Sequence, residues 1–140
     1  MDPFRIASGL GIRCRYADLP SDESGKITIP VGGTPVITIN EWDHSNRQRF
    51  TCAHEIGHYL RRGHDGRTHY VDYRSTLAGL GIDAEEIFAN QFAAALLMPA
   101  ATVKKLSEEG RSSIWHPDLA SQFGTSDRAM DLRLRNLRIT

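Results

Sequence analysis

Cysteine is scarce in this chain: 140 residues carry two, Cys14 and Cys52. A small secreted domain that relied on disulfides would need more of them, so both are read as reduced structural thiols, packing as small apolar side chains. Net charge is lacking altogether, with Lys plus Arg and Asp plus Glu at 17 each. Together with 40% hydrophobic residues, that balance excludes a globally basic nucleic-acid binder and a disordered chain. No apolar run approaches the roughly 20 residues that span a bilayer. The start, Met1-Asp2-Pro3-Phe4-Arg5-Ile6-Ala7, lacks the basic end and apolar core of a leader, so the expected location is the cytoplasm. Internal repeats and low-complexity tracts are missing too. The length suits one core, and residues 1–140 are expected to form a single domain.

The first third reads as strand and turn. Ile12 to Tyr16 alternates, Ser21-Asp22-Glu23-Ser24-Gly25 is a turn cluster, and Lys26 to Val31 is extended. Gly32-Gly33-Thr34-Pro35 then turns the chain into the β-branched run Val36-Ile37-Thr38-Ile39-Asn40. Three strands are expected before any helix, paired as a small antiparallel sheet over residues 1–41. From about Ser45 the period changes. Phe50, Ala53, Ile56 or Gly57, and Leu60 recur at helical steps, predicting an amphipathic helix of about four turns that ends at Arg61-Arg62-Gly63. Residues 63–82 hold four glycines and no sustained period, as expected of a loop over an active centre. A second helix is expected from Asp83 as N-cap to Met98-Pro99, with the slim stretch Ala93-Ala94-Ala95 in its middle. A third runs from Pro99 to Gly110 with Val103 and Leu106 inward. Pro117 to Phe123, stopped by Gly124, and Asp127 to about Leu137, capped by Thr125 or Ser126, finish the chain as two short helices.

The chemistry concentrates in Ala53-His54-Glu55-Ile56-Gly57-His58-Tyr59-Leu60. Histidines at i and i+4 lie one turn apart on one helix face and suit a single zinc ion, while Glu55 between them can take a proton from the attacking water. Catalytic zinc usually takes three protein ligands, so a third donor must come from outside this helix. Glu86, in the first turn of the next helix, is the choice, although a helix-capping role would explain it without a metal. Glu85 is the fallback. Asn90 shares the face of Glu86 and is expected to orient a ligand. Gly57, costly inside a helix, implies close approach by another backbone, with Ala93-Ala94-Ala95 as the expected neighbour.

Taken with the downstream block Glu86-Ile87-Phe88-Ala89-Asn90-Gln91-Phe92-Ala93-Ala94-Ala95-Leu96-Leu97-Met98-Pro99, the motif His54-Glu55-Ile56-Gly57-His58 resembles the ImmA/IrrE family of metallopeptidases. The resemblance covers roughly Val36 to the C-terminus; the first 35 residues match only as generic strands. It implies zinc ligands at His54, His58 and Glu86 and a catalytic Glu55. It also implies an α+β, zincin-like metalloprotease domain, cytoplasmic, often of phage or mobile-element origin, that cleaves helix-turn-helix transcriptional repressors. Many members carry an acidic residue where this chain has Phe88, which removes one competitor for the ligand role. The expected layout is a sheet over 1–41, a zinc-binding helical core over 44–110, and a helix-turn-helix-like pair over 116–138.

Several residues remain as lesser candidates. His64, His69, Tyr70, Tyr73 and His116 are candidates to steady the oxyanion of a cleaved carbonyl, with His69 and Tyr70 first. Trp42 and Trp115 read as core or interface anchors. The strand Val36–Asn40 is either an ordinary covered strand or an edge to which an extended substrate adds. Two readings compete with an endopeptidase: a DNA-binding module using the last two helices, and a non-proteolytic regulator that binds a repressor on a metallopeptidase scaffold. From His116 to Thr140, four arginines face three aspartates with no lysine, too small an excess for strong DNA binding. Zinc is the expected ion, and affinity order alone leaves room for manganese or iron.

Overall fold

The computed structural model describes residues 2–30, 32–62, 70–73, 84–110 and 117–139. Among them are six helices and four strands: α1 (Pro3–Gly9), β1 (Arg13–Ala17), β2 (Glu23–Thr28), β3 (Val36–Asn40), α2 (Ser45–Arg62), β4 (Tyr70–Tyr73), α3 (Ala84–Leu97), α4 (Ala100–Gly110), α5 (Pro117–Phe123) and α6 (Asp127–Asn136). The α+β class is as expected. The sheet differs from expectation in pairing and size.

Its strand order is β1-β3-β2-β4. β2 pairs antiparallel with β3, but β1 lies parallel to β3, with Cys14 opposite Ile37 and Tyr16 opposite Ile39. The all-antiparallel expectation is therefore corrected to a mixed sheet. A strand's partner is set by long-range packing, which local alternation does not encode. β3 is paired on both sides, so it has no open edge for a substrate strand, and the covered-strand reading holds. β4 adds antiparallel to β2 within a stretch expected to be loop, with a register shift between Glu23 and Gly25.

Two further corrections have clear causes. A helix precedes the strands: Asp2 accepts a hydrogen bond from the Phe4 amide at 2.9 Å and Pro3 takes the first turn, the ordinary start signal of a helix. With seven residues it is too short to show a period. Glu23 to Gly25 belong to β2 and not to a turn. Gly25 is needed there because a Cβ would stand 2.6 Å from both the Thr38 carbonyl oxygen and Thr51 Cγ2, so its absence lets α2 lie flat on the sheet.

α2 is the central element and separates two cores. Its Cys52 and Ile56 join Ala7, Ile12, Ile27, Ile29, Ile37 and Ile39 beneath the sheet. Its Ala53 joins Ala93, Leu97, Met98, Val103, Leu119, Ala120, Met130 and Leu134 among the helices. Being wedged on both sides, residues 51–58 are buried without interruption, which is unusual for a helix with one apolar stripe. Leu60, expected inward, is 46% exposed near the helix end. Trp42, expected as an anchor, is 75% exposed and donates its ring N–H to Asp18 Oδ1 at 2.9 Å.

The C-terminal pair is joined by Gly124 at φ +65° and capped by Ser126, which accepts from the Ala129 amide at 3.1 Å. Arg49 of α2 holds this turn by donating to the Phe123 and Gly124 carbonyls. Arg133 of α6 donates to the Met98 carbonyl at 3.0 Å, so it closes the end of α3. No single helix of the described residues is long and apolar enough to cross a membrane.

Candidate metal centre

The site is built where α2 meets the first turn of α3. His54 and His58, one helical turn apart, bring their rings edge to face with centroids 4.8 Å apart. Both are buried, at 1% and 2% exposure. What lets a second helix reach them is Gly57. A Cβ there would stand 3.2 Å from Ala89 Cα and from the Phe92 ring, so the two helices touch at backbone distance. The neighbour is thus Ala89 and Phe92; the expected Ala93 instead fills the helical core.

That contact delivers Glu86. Its Oε1 lies 2.9 Å from His58 Nε2 and its Oε2 lies 3.0 Å from His54 Nε2, while the two Nε2 atoms are 3.1 Å apart. The three side chains form the cluster of metal-ligating groups found among the described residues, all donor atoms lying within 4.8 Å of one another. Glu85 is not part of it. Asn90, one turn along α3, accepts from His54 Nδ1 at 2.8 Å through Oδ1. With the proton on Nδ1, the lone pair of His54 Nε2 faces the cluster.

Three Lewis bases brought this close call for a cation. A tetrahedral ion with bonds of about 2.0 to 2.1 Å sets its ligand atoms about 3.3 Å apart, close to the observed separations. The charge of Glu86 agrees with that role. Burial alone pushes its carboxyl up, but when the two rings are protonated their hydrogen bonds and positive charge outweigh this and hold it below the usual carboxylate range. The residues present therefore fit a divalent metal. Glu55 is fully buried on the same helix between the two histidines.

The sequence had singled out His54, Glu55, His58, Glu86 and Asn90, and the fold gathers the two histidines, Glu86 and Asn90 into one hydrogen-bonded group. It had not foreseen that Cys14 and Cys52 meet, with sulfurs 4.0 Å apart; no local pattern carries a contact across 38 residues. His64, His69, Trp115, His116 and Asp83 lie outside the described residues. Tyr70 and Tyr73 fall in β4, where the backbone alone is described.

Comparison with known proteins converges on one group. The profile of a peptidase family described as the IrrE N-terminal-like domain matches residues 7–135. Over 96 residues the chain is 36% identical to the radiation response metalloprotease IrrE of Deinococcus deserti. The match takes in 68% of this chain and 29% of that relative, so the chain spans less than a third of its length.

Proposed function

The chain belongs to the IrrE N-terminal-like family of metallopeptidases, and from that premise we propose that it is a zinc-dependent endopeptidase. The observation that carries the reading is the convergence of His54, His58 and Glu86 on one point, two residues of one helix and one of the next. In this reading those three side chains hold the ion and Glu55 is the general base. When bound, zinc supplies a Lewis acid that acidifies water and polarises a peptide carbonyl.

The chain's own residues supply the rest. Asn90 fixes the ring of His54 through Nδ1, so that Nε2 keeps its direction without a reorganisation cost. Glu86 would contribute one negative charge to the ion. Glu55 takes the proton of the attacking water and returns it to the amide nitrogen as the peptide bond breaks. Glu55, His54 and His58 are buried, whereas Glu86 is partly exposed, so the base itself sits in a dry surround.

For the substrate we propose a helix-turn-helix transcriptional repressor, cleaved in the cytoplasm. The sheet of 1–41, the core of 44–110 and the pair of 116–138 would act as one catalytic unit. The use of α6 supports a wall of the protein and not a DNA reader. Met130 and Leu134 are in the core and Arg133 is engaged with Met98. The competing reading is a regulator that binds a repressor without cutting it. One experiment separates them: zinc-loaded chain is incubated with helix-turn-helix repressors from its own host, beside Glu55→Gln, and products are followed by mass spectrometry. Fragments from the wild type alone, abolished by a chelator, are expected. Repressor bound equally by both proteins and cut by neither would establish the regulator.

A further inference from the structure

Outside the metal centre, one cluster of reactive groups stands out. Cys14 and Cys52, far apart in sequence, place their sulfurs 4.0 Å apart across the junction of β1 and α2. They are the chain's two cysteines and both are free thiols. Their surroundings differ. Cys52 is fully buried among the isoleucines beneath the sheet, whereas Cys14 is half-buried on β1, which ends the strand order. Cys14 is therefore the partly exposed member of the pair, and Cys52 the enclosed one.

We propose that this pair is an oxidation site at which a hydroperoxide closes an internal disulfide between β1 and α2. The oxidant is hydrogen peroxide or an alkyl hydroperoxide. In the first step the Cys14 sulfur attacks the peroxide, the O–O bond breaks, and Cys14 becomes a sulfenic acid while water or an alcohol leaves. In the second, the Cys52 sulfur attacks the Cys14 sulfur, the S–O bond breaks, and water leaves as the disulfide forms. Two electrons pass from the two thiols to the peroxide, and both thiol protons end in the departing oxygens.

Geometry favours closure over the alternatives. The sulfurs, 4.0 Å apart, must approach by about 2 Å to reach a disulfide bond length, so closure starts from contact. The contact with Cys52 lowers the Cys14 thiol from its ordinary value and so favours the thiolate on the less buried of the two cysteines. Burial of Cys52 denies it to a second molecule, so the product is intramolecular. The bond would staple β1 to α2 two residues before His54 without using a metal donor. The proposal does not depend on peptidase activity.

The test uses the full, metal-loaded chain treated with dilute hydrogen peroxide, then denatured and alkylated with iodoacetamide before intact-mass measurement. The expected product is a monomer about 2 Da lighter that takes no alkyl group until a phosphine reductant is added. Cys52→Ser should stop at the sulfenic acid on Cys14, trapped by dimedone, and Cys14→Ser should leave Cys52 unreacted at the same dose. The proposal is overturned if both wild-type thiols still alkylate, if Cys14 runs on to sulfinic acid beside a free Cys52, or if the link joins two chains.

Discussion

Replacing Gly57 by alanine sets two effects of known size against each other. Inside a helix the change gains about 1 kcal/mol, because alanine loses less backbone freedom on folding. Against that, the new Cβ stands 3.2 Å from Ala89 Cα, 3.2 Å from Phe92 Cδ1 and 3.3 Å from Phe92 Cβ. Carbon atoms at rest sit about 3.5 to 4.0 Å apart, so relief needs a few tenths of an ångström. The Phe92 ring can turn, but Ala89 Cα is backbone and moves only with α3. Overpacking of this kind costs about 1 to 3 kcal/mol. The cost exceeds the gain, leaving a net loss on the order of 1 kcal/mol, or a melting temperature roughly 3 to 5 °C lower for a chain of this size.

The same displacement carries Glu86, three residues before Ala89 on α3, away from His54 and His58. Gly57→Ala should therefore also bind zinc more weakly, by about tenfold, the lower end of what a disturbed ligand support costs. Thermal melting of metal-free and zinc-loaded protein, with a competition titration for zinc, measures both effects. A variant that melts several degrees higher and keeps wild-type zinc affinity would refute the claim that backbone contact at Gly57 sets the site.

Asn90→Ala should weaken zinc about 10- to 100-fold while the fold persists, and Asn90→Asp, which keeps an acceptor for His54 Nδ1, should recover most of it; equal affinities for all three would remove Asn90 from the site. Arg133→Ala should cost about 1 to 3 kcal/mol in denaturant unfolding, since it leaves the Met98 carbonyl without a charged donor, and should not change the affinity for DNA or its salt dependence; an unchanged stability with a lowered salt slope would return α6 to the role of a DNA reader. Glu86→Ala should release zinc and Glu85→Ala should retain it by mass-spectrometric metal analysis; the opposite result moves the ligand by one residue.

Much of the site was legible because its geometry is local. His54 and His58 share a helix face by spacing alone, as do Glu86 and Asn90, and Glu86 was already reachable as the third donor once zinc was assumed. The fold was legible where signals are local as well: β3 spans Val36–Asn40 and Ser126 caps α6. What was misread depended on partners far away in sequence. Gly25 looked like a turn residue because its cause, the approach of Thr51 from α2, lies 26 positions on. The parallel pairing of β1 with β3 and the addition of β4 to β2 follow from packing that alternation cannot specify. Arg133 reads as a surface charge until α3 brings the Met98 carbonyl to it.

The most direct test of the account is the position of the metal itself. Crystals grown with zinc, measured on both sides of the zinc absorption edge, should show one anomalous peak about 2.0 to 2.2 Å from Nε2 of His54, Nε2 of His58 and an oxygen of Glu86, with Glu55 beside the remaining position. A peak held by Glu85 or by the cysteines, or one closed by a fourth protein ligand, would contradict the claim that these residues form an open catalytic centre.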